Sequence, residues 1–269
     1  MSIILFDMDC TLTPARLPIE SKMIQKLTVL LSKTKVGIVT GSGLDYLKQQ
    51  MSPLWDRINI PNLSNLILYP CNGTQRWTWD NQKKEWQNTF VVDMIDEVGD
   101  AAWQNLICSV LGLQNKCVND ASMLKGFSVM GHFTSNRVSL LNWCPIGRDS
   151  NQTVRKNFEA LDNESDIRVR LKKELDRMIE GNDFSKGKFS TALGGKTSID
   201  IYPVGWDKSF VLQFHDAKDA WFVGDRCFEG GNDYELYLEI NENGRGAYQT
   251  SDPDNTIKLI NENILPNIG

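Results

Sequence analysis

Histidine is almost missing: the 269 residues contain only His132 and His215, and neither stands in a recognisable nucleophile context. A Ser-His-Asp or Cys-His site would have to use one of these two, so carboxylates are the more available catalysts. The six cysteines, Cys10, Cys71, Cys108, Cys117, Cys144 and Cys227, form no C-x-x-C pair and lie far from both histidines in metal-ligand spacing. That argues against zinc and against a disulfide framework. No apolar stretch approaches the roughly 18 residues of a membrane helix, so no membrane partner is expected. No lysine or arginine block exists to track a phosphate backbone, and acidic residues outnumber basic ones 34 to 29 for a net charge of -5. Nucleic acid is therefore not an expected partner. The N-terminus carries no basic segment and sets Asp7 and Asp9 where the apolar core of a signal peptide would lie, which makes the cytoplasm the expected compartment. Repeats and low-complexity tracts are also missing.

What is present is ample core material, 41% apolar with 9% aromatic residues, in an ordered rhythm. Ile3 to Phe6 reads as a buried strand. Met23, Ile24, Leu27, Leu30 and Leu31 recur at helical spacing, and Val36 to Val39 gives a second apolar run ending in Thr40-Gly41-Ser42-Gly43. Leu44, Leu47 and Met51 mark another helix, and Leu66 to Tyr69 another strand. Strand, helix, strand, helix, strand is the pattern of a parallel sheet with crossover helices. From about Trp86 the rhythm changes to an α+β unit that contains a helix with Ile167, Leu171, Leu175 and Met178 on one face. Gly205-Trp206-Asp207-Lys208 looks like its exit, and a strand from Ala220 to Val223 resumes the first pattern. The expected class is α/β: a parallel-sheet core of residues 1–85 and 206–269 with an α+β domain, 86–205, inserted in its middle.

In open parallel sheets ligands bind at the carboxyl ends of the strands, and Asp7, Asp9, Thr40, Ser42 and Asp225 all follow apolar strands there, with Lys208 in the same half. A phosphate ester repels an attacking carboxylate, so both must be neutralised together, and a magnesium ion bridging the two does this. Asp7 is then the nucleophile, Asp225 completes a magnesium site with Asp7 and the main chain of Asp9, and the Asp9 side chain is free for proton transfer to and from a sugar oxygen. Thr40 or Ser42, together with Lys208, would hold the transferring phosphoryl oxygens. Taken singly, Asp225 could cap a turn, Lys208 could be a solvated lysine and Ser42 an N-cap. Their convergence on one sheet edge favours the catalytic reading.

The stretches "LFDMDCTLTPAR" (5–16), "RVSLLNWCPIGR" (137–148), "GGKTSIDIYPVGWDK" (194–208) and "FVGDRCFEGGND" (222–233) resemble the motifs of the haloacid dehalogenase superfamily, and more closely those of eukaryotic-type α-phosphomannomutases. Arg155 follows Arg148 at the family spacing; the segment from about Asn81 to Asn136 diverges. The resemblance implies a Rossmann-like core with a cap, and a sugar-phosphate site lined by Arg16, Arg137, Arg148, Arg155, Ser198 and Asp200. It implies transfer of phosphate between C1 and C6 of mannose, or of glucose, through a hexose 1,6-bisphosphate that primes Asp7. The product mannose 1-phosphate would feed GDP-mannose synthesis. Family members dimerise through their caps, which would make this chain a homodimer. An independent argument supports the arginines: a mutase must hold a second phosphate while the first reacts, and planar bidentate donors suit that task.

Some positions depart from the family. Cys10 replaces its glycine, Thr40 stands where it commonly has glycine, and Cys71 replaces an acidic residue. Arg226, Phe228 and Glu229 alter the metal loop, and "YLEIN" (237–241) keeps only part of a second cation pattern. Two further readings therefore stand beside the mutase: a sugar-phosphate phosphatase releasing inorganic phosphate, and a non-catalytic sugar-phosphate sensor. A pure binder has no need of Asp7, Asp9, Lys208 and Asp225.

Overall fold

The protein is described by a computed structural model covering residues 2–56, 62–120, 124 and 127–268. It divides into two compact units, Met1–Val91 with Trp206–Gly269, and Val92–Gly205.

The first unit is built on a seven-stranded sheet. Its strands are β1 (Ile3–Phe6), β2 (Lys35–Val39), β3 (Leu66–Tyr69), β4 (Gln75–Asp80), β5 (Glu85–Val91), β10 (Ala220–Gly224) and β11 (Gly246–Gln249), in the order β11-β10-β1-β2-β3-β4-β5. The five from β11 to β3 are parallel. The pairs β3–β4 and β4–β5 are antiparallel. All four residues of β1 are wholly buried, as a strand covered on both faces requires. Each such side chain contributes about 1.5–3 kcal/mol. Alternate residues feed separate cores. Ile4 and Phe6 pack with Leu27 and Leu30 of α1 (Ser21–Leu31) and Leu47 and Met51 of α2 (Leu44–Asp56). Ile3 and Leu5 pack with Val211 and with Leu236 and Ile240 of the helix Tyr234–Asn243.

The strand β5 corrects the expected domain boundary. Residues 85–91 pair with β4 in the first unit's sheet instead of opening the inserted domain at 86, and Trp86 packs edge-on against Trp79 and Trp55. The hairpin has polar strands and only half-buried aromatics, so its alternation is weak as a signal.

The second unit pairs a four-stranded antiparallel sheet with helices on which its apolar residues pack. The sheet order is β6-β7-β9-β8, with β6 Thr134–Asn136, β7 Leu141–Trp143, β8 Phe189–Gly194 and β9 Ser198–Pro203. The helices are α3 (Met94–Val98), α4 (Asp100–Asn119), α5 (Gln152–Ser165) and α6 (Ile167–Glu180). The register places Leu141 beside Ile201 and Trp143 beside Ile199, so one sheet face is apolar, and the Trp143 indole donates to Gln114 of α4 at 2.7 Å. The other face carries Asn142 beside Asp200, and Ser198 beside Gly194. On α6 the buried series is Ile167, Leu171, Leu175 and Ile179; Met178, expected on that face, is only partly buried. Among the described residues no helix is long and apolar enough to cross a membrane.

Candidate active site

Because β1, β2, β3 and β10 run parallel, the residues that follow them share one edge of the sheet. Asp7 continues the ladder for one step, its N–H donating to Val223 O at 2.9 Å. Thr40 does the same after β2, donating to Tyr69 O at 3.1 Å. Asp225 follows β10 directly. The loops are laced together: Asn72 N–H donates to Thr40 O at 2.8 Å and Cys71 N–H to Ser42 O at 3.0 Å. The Ser42 N–H in turn donates to Thr40 Oγ1 at 3.1 Å.

After β1 the chain folds back tightly. Leu12 and Thr13 both donate to Met8 O, and Cys10 donates to Thr13 O at 2.7 Å with Cys10 itself at φ 62°. That is left-handed backbone, where a Cβ is disfavoured and glycine is at ease. Asp9 Oδ1 accepts from Arg16 N at 3.0 Å and from the buried Gln50 amide at 3.3 Å. Arg16 itself is exposed, its guanidinium 5.9 Å from the centre of the Tyr46 ring.

Lys208 opens a 3-10 segment, Lys208–Phe214, whose start is capped by the Asp207 carboxylate accepting from Ser209 N at 2.8 Å. Its ammonium is wholly buried and bonds Oδ1 of Asp7 and Oδ1 of Asp233. Asp233, also fully buried, uses Oδ2 to accept from Arg226 N at 2.9 Å. Gly224 permits this approach, since a Cβ there would lie 2.7 Å from Asp233 Oδ2. Carboxylate oxygens of Asp7, Asp225 and Asp233 all lie within 4.8 Å of one another.

Three carboxylates therefore face one ammonium. Burial holds the Asp7 carboxyl well above its usual range; Lys208 opposes this, and Asp233 and Asp225 add to it. Burial and the charge of Asp233 push Asp225 up to about 6. Burial alone would lower the Lys208 ammonium, but the charges of Asp233 and Asp7 outweigh it and hold the group above its ordinary value. The centre is short of positive charge, and an additional cation would relieve it.

Of the residues singled out from sequence, Asp7, Lys208 and Asp225 come together directly, with Asp9, Thr40 and Ser42 on neighbouring loops of the same edge. Those of the second unit form their own arrangement. Asp200 Oδ1 accepts from Asn142 Nδ2 at 2.6 Å, and Asn142 Oδ1 accepts from Arg148. Arg155 is buried and donates to Ser150 O at 3.1 Å and Arg148 O at 3.0 Å, and also to Thr197 Oγ1, so it supports the turn that carries Arg148. Ser198 is buried at the start of β9, and the Arg137 main chain closes the β6–β7 turn on Leu140 O at 2.8 Å. Sequence reasoning assigned no role to Asp233 or Asn142. The signals were there: an aspartate just past two glycines in the Asp225 loop, and a lone amide inside an apolar strand.

Comparison with known proteins agrees with this architecture. Over 98% of its length the chain resembles an N-terminally truncated IMP-nucleotidase of Plasmodium falciparum, covering 71% of that chain at TM-score 0.61 and 14% identity, a likeness of fold. A trehalose-6-phosphate phosphatase related protein matches over 97% of this chain and 96% of its own at TM-score 0.50 and 14% identity. In sequence, the phosphomannomutase of Schizosaccharomyces pombe is 30% identical over 95% of this chain and 91% of that protein. The phosphomannomutase of Saccharomyces cerevisiae is 29% identical over 97% of this chain and 93% of its own. The family profile described as eukaryotic phosphomannomutase matches residues 22–266. A match spanning both halves of the discontinuous core and the whole inserted unit settles kinship: the chain belongs to the eukaryotic phosphomannomutase family.

Proposed function

We propose that this protein interconverts mannose 6-phosphate and mannose 1-phosphate by passing phosphate through Asp7. The observation that carries the reading is the buried Lys208, which bridges Asp7 and Asp233 beside Asp225 at the carboxyl edge of the parallel sheet. A buried carboxylate held by an ammonium, next to two more carboxylates, is costly as mere scaffolding and useful for attack on a phosphate.

The donor set fits a divalent cation. Asp7 and Asp225 offer hard oxygen ligands, as does the Asp9 carbonyl, and the surplus of negative charge matches magnesium. When bound, magnesium supplies charge neutralisation between carboxylate and phosphate. The chain's own residues do the rest. Lys208 orients Asp7 and meets charge developing on the phosphoryl oxygens, and the Thr40–Ser42 loop, fixed by Asn72 and Cys71, offers further donors. An Asp7 oxygen bonds phosphorus as the bond to the sugar oxygen breaks, and Asp9 delivers a proton to the departing oxygen. In the return step Asp9 takes the proton from the other hydroxyl of the sugar. Asn72 and Gln50 act at one remove, holding loop and acid in register.

This reading assigns the phosphate that is not reacting to the second unit, to Arg137, Arg148, Arg155, Ser198 and Asp200 around its polar sheet face. A hexose 1,6-bisphosphate primes Asp7. A cytoplasmic setting and a homodimer through the second unit belong to the same reading. The phosphatase reading uses the same core and differs only in the fate of the phosphoenzyme; the names of the relatives favour the mutase. Incubation with phosphorus-labelled hexose 1,6-bisphosphate should leave hydroxylamine-labile label on the wild type and none on Asp7→Asn, which also loses turnover. An Asp7→Asn enzyme with the wild-type rate would sink the assignment.

A further inference from the structure

The second unit holds a buried ion pair that the reaction itself does not use. Asp162, in the last turn of α5, and Arg168, in the first turn of α6, are 6% and 5% exposed. Asp162 Oδ1 accepts from Arg168 N at 2.7 Å and Oδ2 from Arg168 Nε at 2.7 Å, so one carboxylate caps the new helix and fixes the guanidinium. Between them the chain turns at Asp166, left-handed at φ 50°, whose N–H donates to Asp162 O at 2.8 Å. The far end of the guanidinium reaches across to the β8–β9 turn: Nη1 donates to Gly195 O at 3.0 Å and Ser198 O at 3.3 Å. A second buried arginine, Arg155 of α5, grips the same turn at Thr197.

Burying a charged pair on a small α+β unit is expensive unless its geometry achieves something that apolar packing cannot. Here it fixes two main-chain carbonyls of a glycine-rich turn, Gly195 O and Ser198 O, beside the hold that Arg155 has on Thr197. The turn leads directly into Ser198 and Asp200, and Gly194 packs against Asp200 so closely that a Cβ would fall 2.5 Å from its Oδ2. Asp200 holds Asn142, and Asn142 holds Arg148. A shift of the turn is therefore transmitted along the whole polar face.

We infer that the Asp162–Arg168 pair is a positioning element of the sugar-phosphate site: Arg168 sets the β8–β9 turn, and through it the placement of Ser198, Asp200 and Arg148 against the non-reacting part of the substrate. The inference rests on the mutase reading of these residues. It assigns the pair to substrate affinity, separate from the phosphoryl-transfer machinery. Lysine is not an equivalent replacement: its three donors radiate from one nitrogen, whereas Arg168 meets the carboxylate with Nε and the carbonyls with Nη1, at separate points of a planar fork.

The test compares the full-length wild type with Arg168→Lys and with the double variant Asp162→Leu/Arg168→Met, which removes both charges together and so leaves no unpaired ion. Lys172→Met, a change at a half-exposed pair on the same helix, is the control. Mutase kinetics with mannose 1-phosphate are combined with amide exchange across residues 194–198. In both test variants KM should rise about tenfold, the worth of one or two hydrogen bonds lost from the complex. Turnover at saturation should change less than twofold, and exchange in the turn should quicken. The control should match the wild type in both. Quickened exchange with unchanged KM would overturn the positioning role, as would a loss confined to kcat; unchanged exchange would overturn the clamp itself. A wild type that yields no isomerised product would overturn the underlying mutase reading, a result distinct from all of these.

Discussion

Lys208 donates its buried ammonium to Asp7, joining two residues 201 positions apart in the sequence. The contact ties the strand that opens the chain to the segment that returns after the inserted unit, so the nucleophile is aimed only when both halves of the discontinuous core have folded. Lys208→Met removes the ammonium that Asp7 and Asp233 share. Stability should drop by about 3–5 kcal/mol, as when one partner of a buried pair is deleted, and turnover should vanish. Urea unfolding and a mutase assay measure the two effects. A variant within 1 kcal/mol of wild type, by the same order-of-magnitude reckoning, would contradict the buried bridge.

Asp233 should matter nearly as much as Asp225. It is fully buried, bonds Lys208 and accepts from Arg226 N. Asp233→Asn keeps an acceptor for Arg226 but halves the anionic hold on Lys208. Turnover should fall by about a hundredfold or more, equivalent to roughly 3 kcal/mol of lost electrostatic organisation, while the protein stays folded. Unchanged kinetics would mean that Asp233 is a structural anchor alone.

Cys10 adopts φ 62°, the left-handed backbone region where its Cβ is crowded and glycine is at ease. Relief of that strain, about 1–2 kcal/mol for a non-glycine residue, outweighs the added flexibility of an unfolded glycine, about 0.5–1 kcal/mol. Cys10→Gly should therefore gain about 0.5–1 kcal/mol of stability with full activity. Cys10→Val, β-branched in the same conformation, should lose stability. Denaturant midpoints decide the order of the three proteins.

His215 titrates unusually. Burial, followed by the nearby charges of Arg76 and Lys35, pushes its pKa down to about 4, and its ring nitrogen meets the Tyr69 hydroxyl at 2.6 Å. The unfolded imidazole takes its proton near 6.5. The sign follows: below about 6.5 the unfolded chain binds a proton that the folded one refuses, so stability conferred by neutral His215 is complete above 6.5 and is lost as pH falls toward 4. His215→Gln, which keeps a hydrogen-bonding partner for Tyr69, should flatten the fall in melting temperature over that window. Parallel profiles for the two proteins would contradict the depressed pKa.

How much of this was legible in the sequence depended on range. Asp7 and Asp225 could be placed because each ends an apolar run, and a buried parallel strand writes its position locally. Lys208 was found only through its neighbourhood and its resemblance to a motif; nothing local showed that it would reach Asp7. Asp233 and Asn142 were passed over because their importance lies in partners across strands or loops: Asn142 matters only once the register sets it beside Asp200. Nothing local marks the Asp162–Arg168 pair, since an acid and a base six apart are not neighbours on one helix; burial alone sets it apart. The β5 strand escapes a reading of the sequence because Trp86 and Phe90 are packed by tertiary contacts that no two-residue period reveals.

The most direct measurement of the central claim follows mannose 1-phosphate by phosphorus NMR with magnesium, with and without glucose 1,6-bisphosphate. The account predicts a growing 6-phosphate resonance that depends on the bisphosphate, with little inorganic phosphate. Inorganic phosphate as the main product, or a spectrum that never changes, would contradict it.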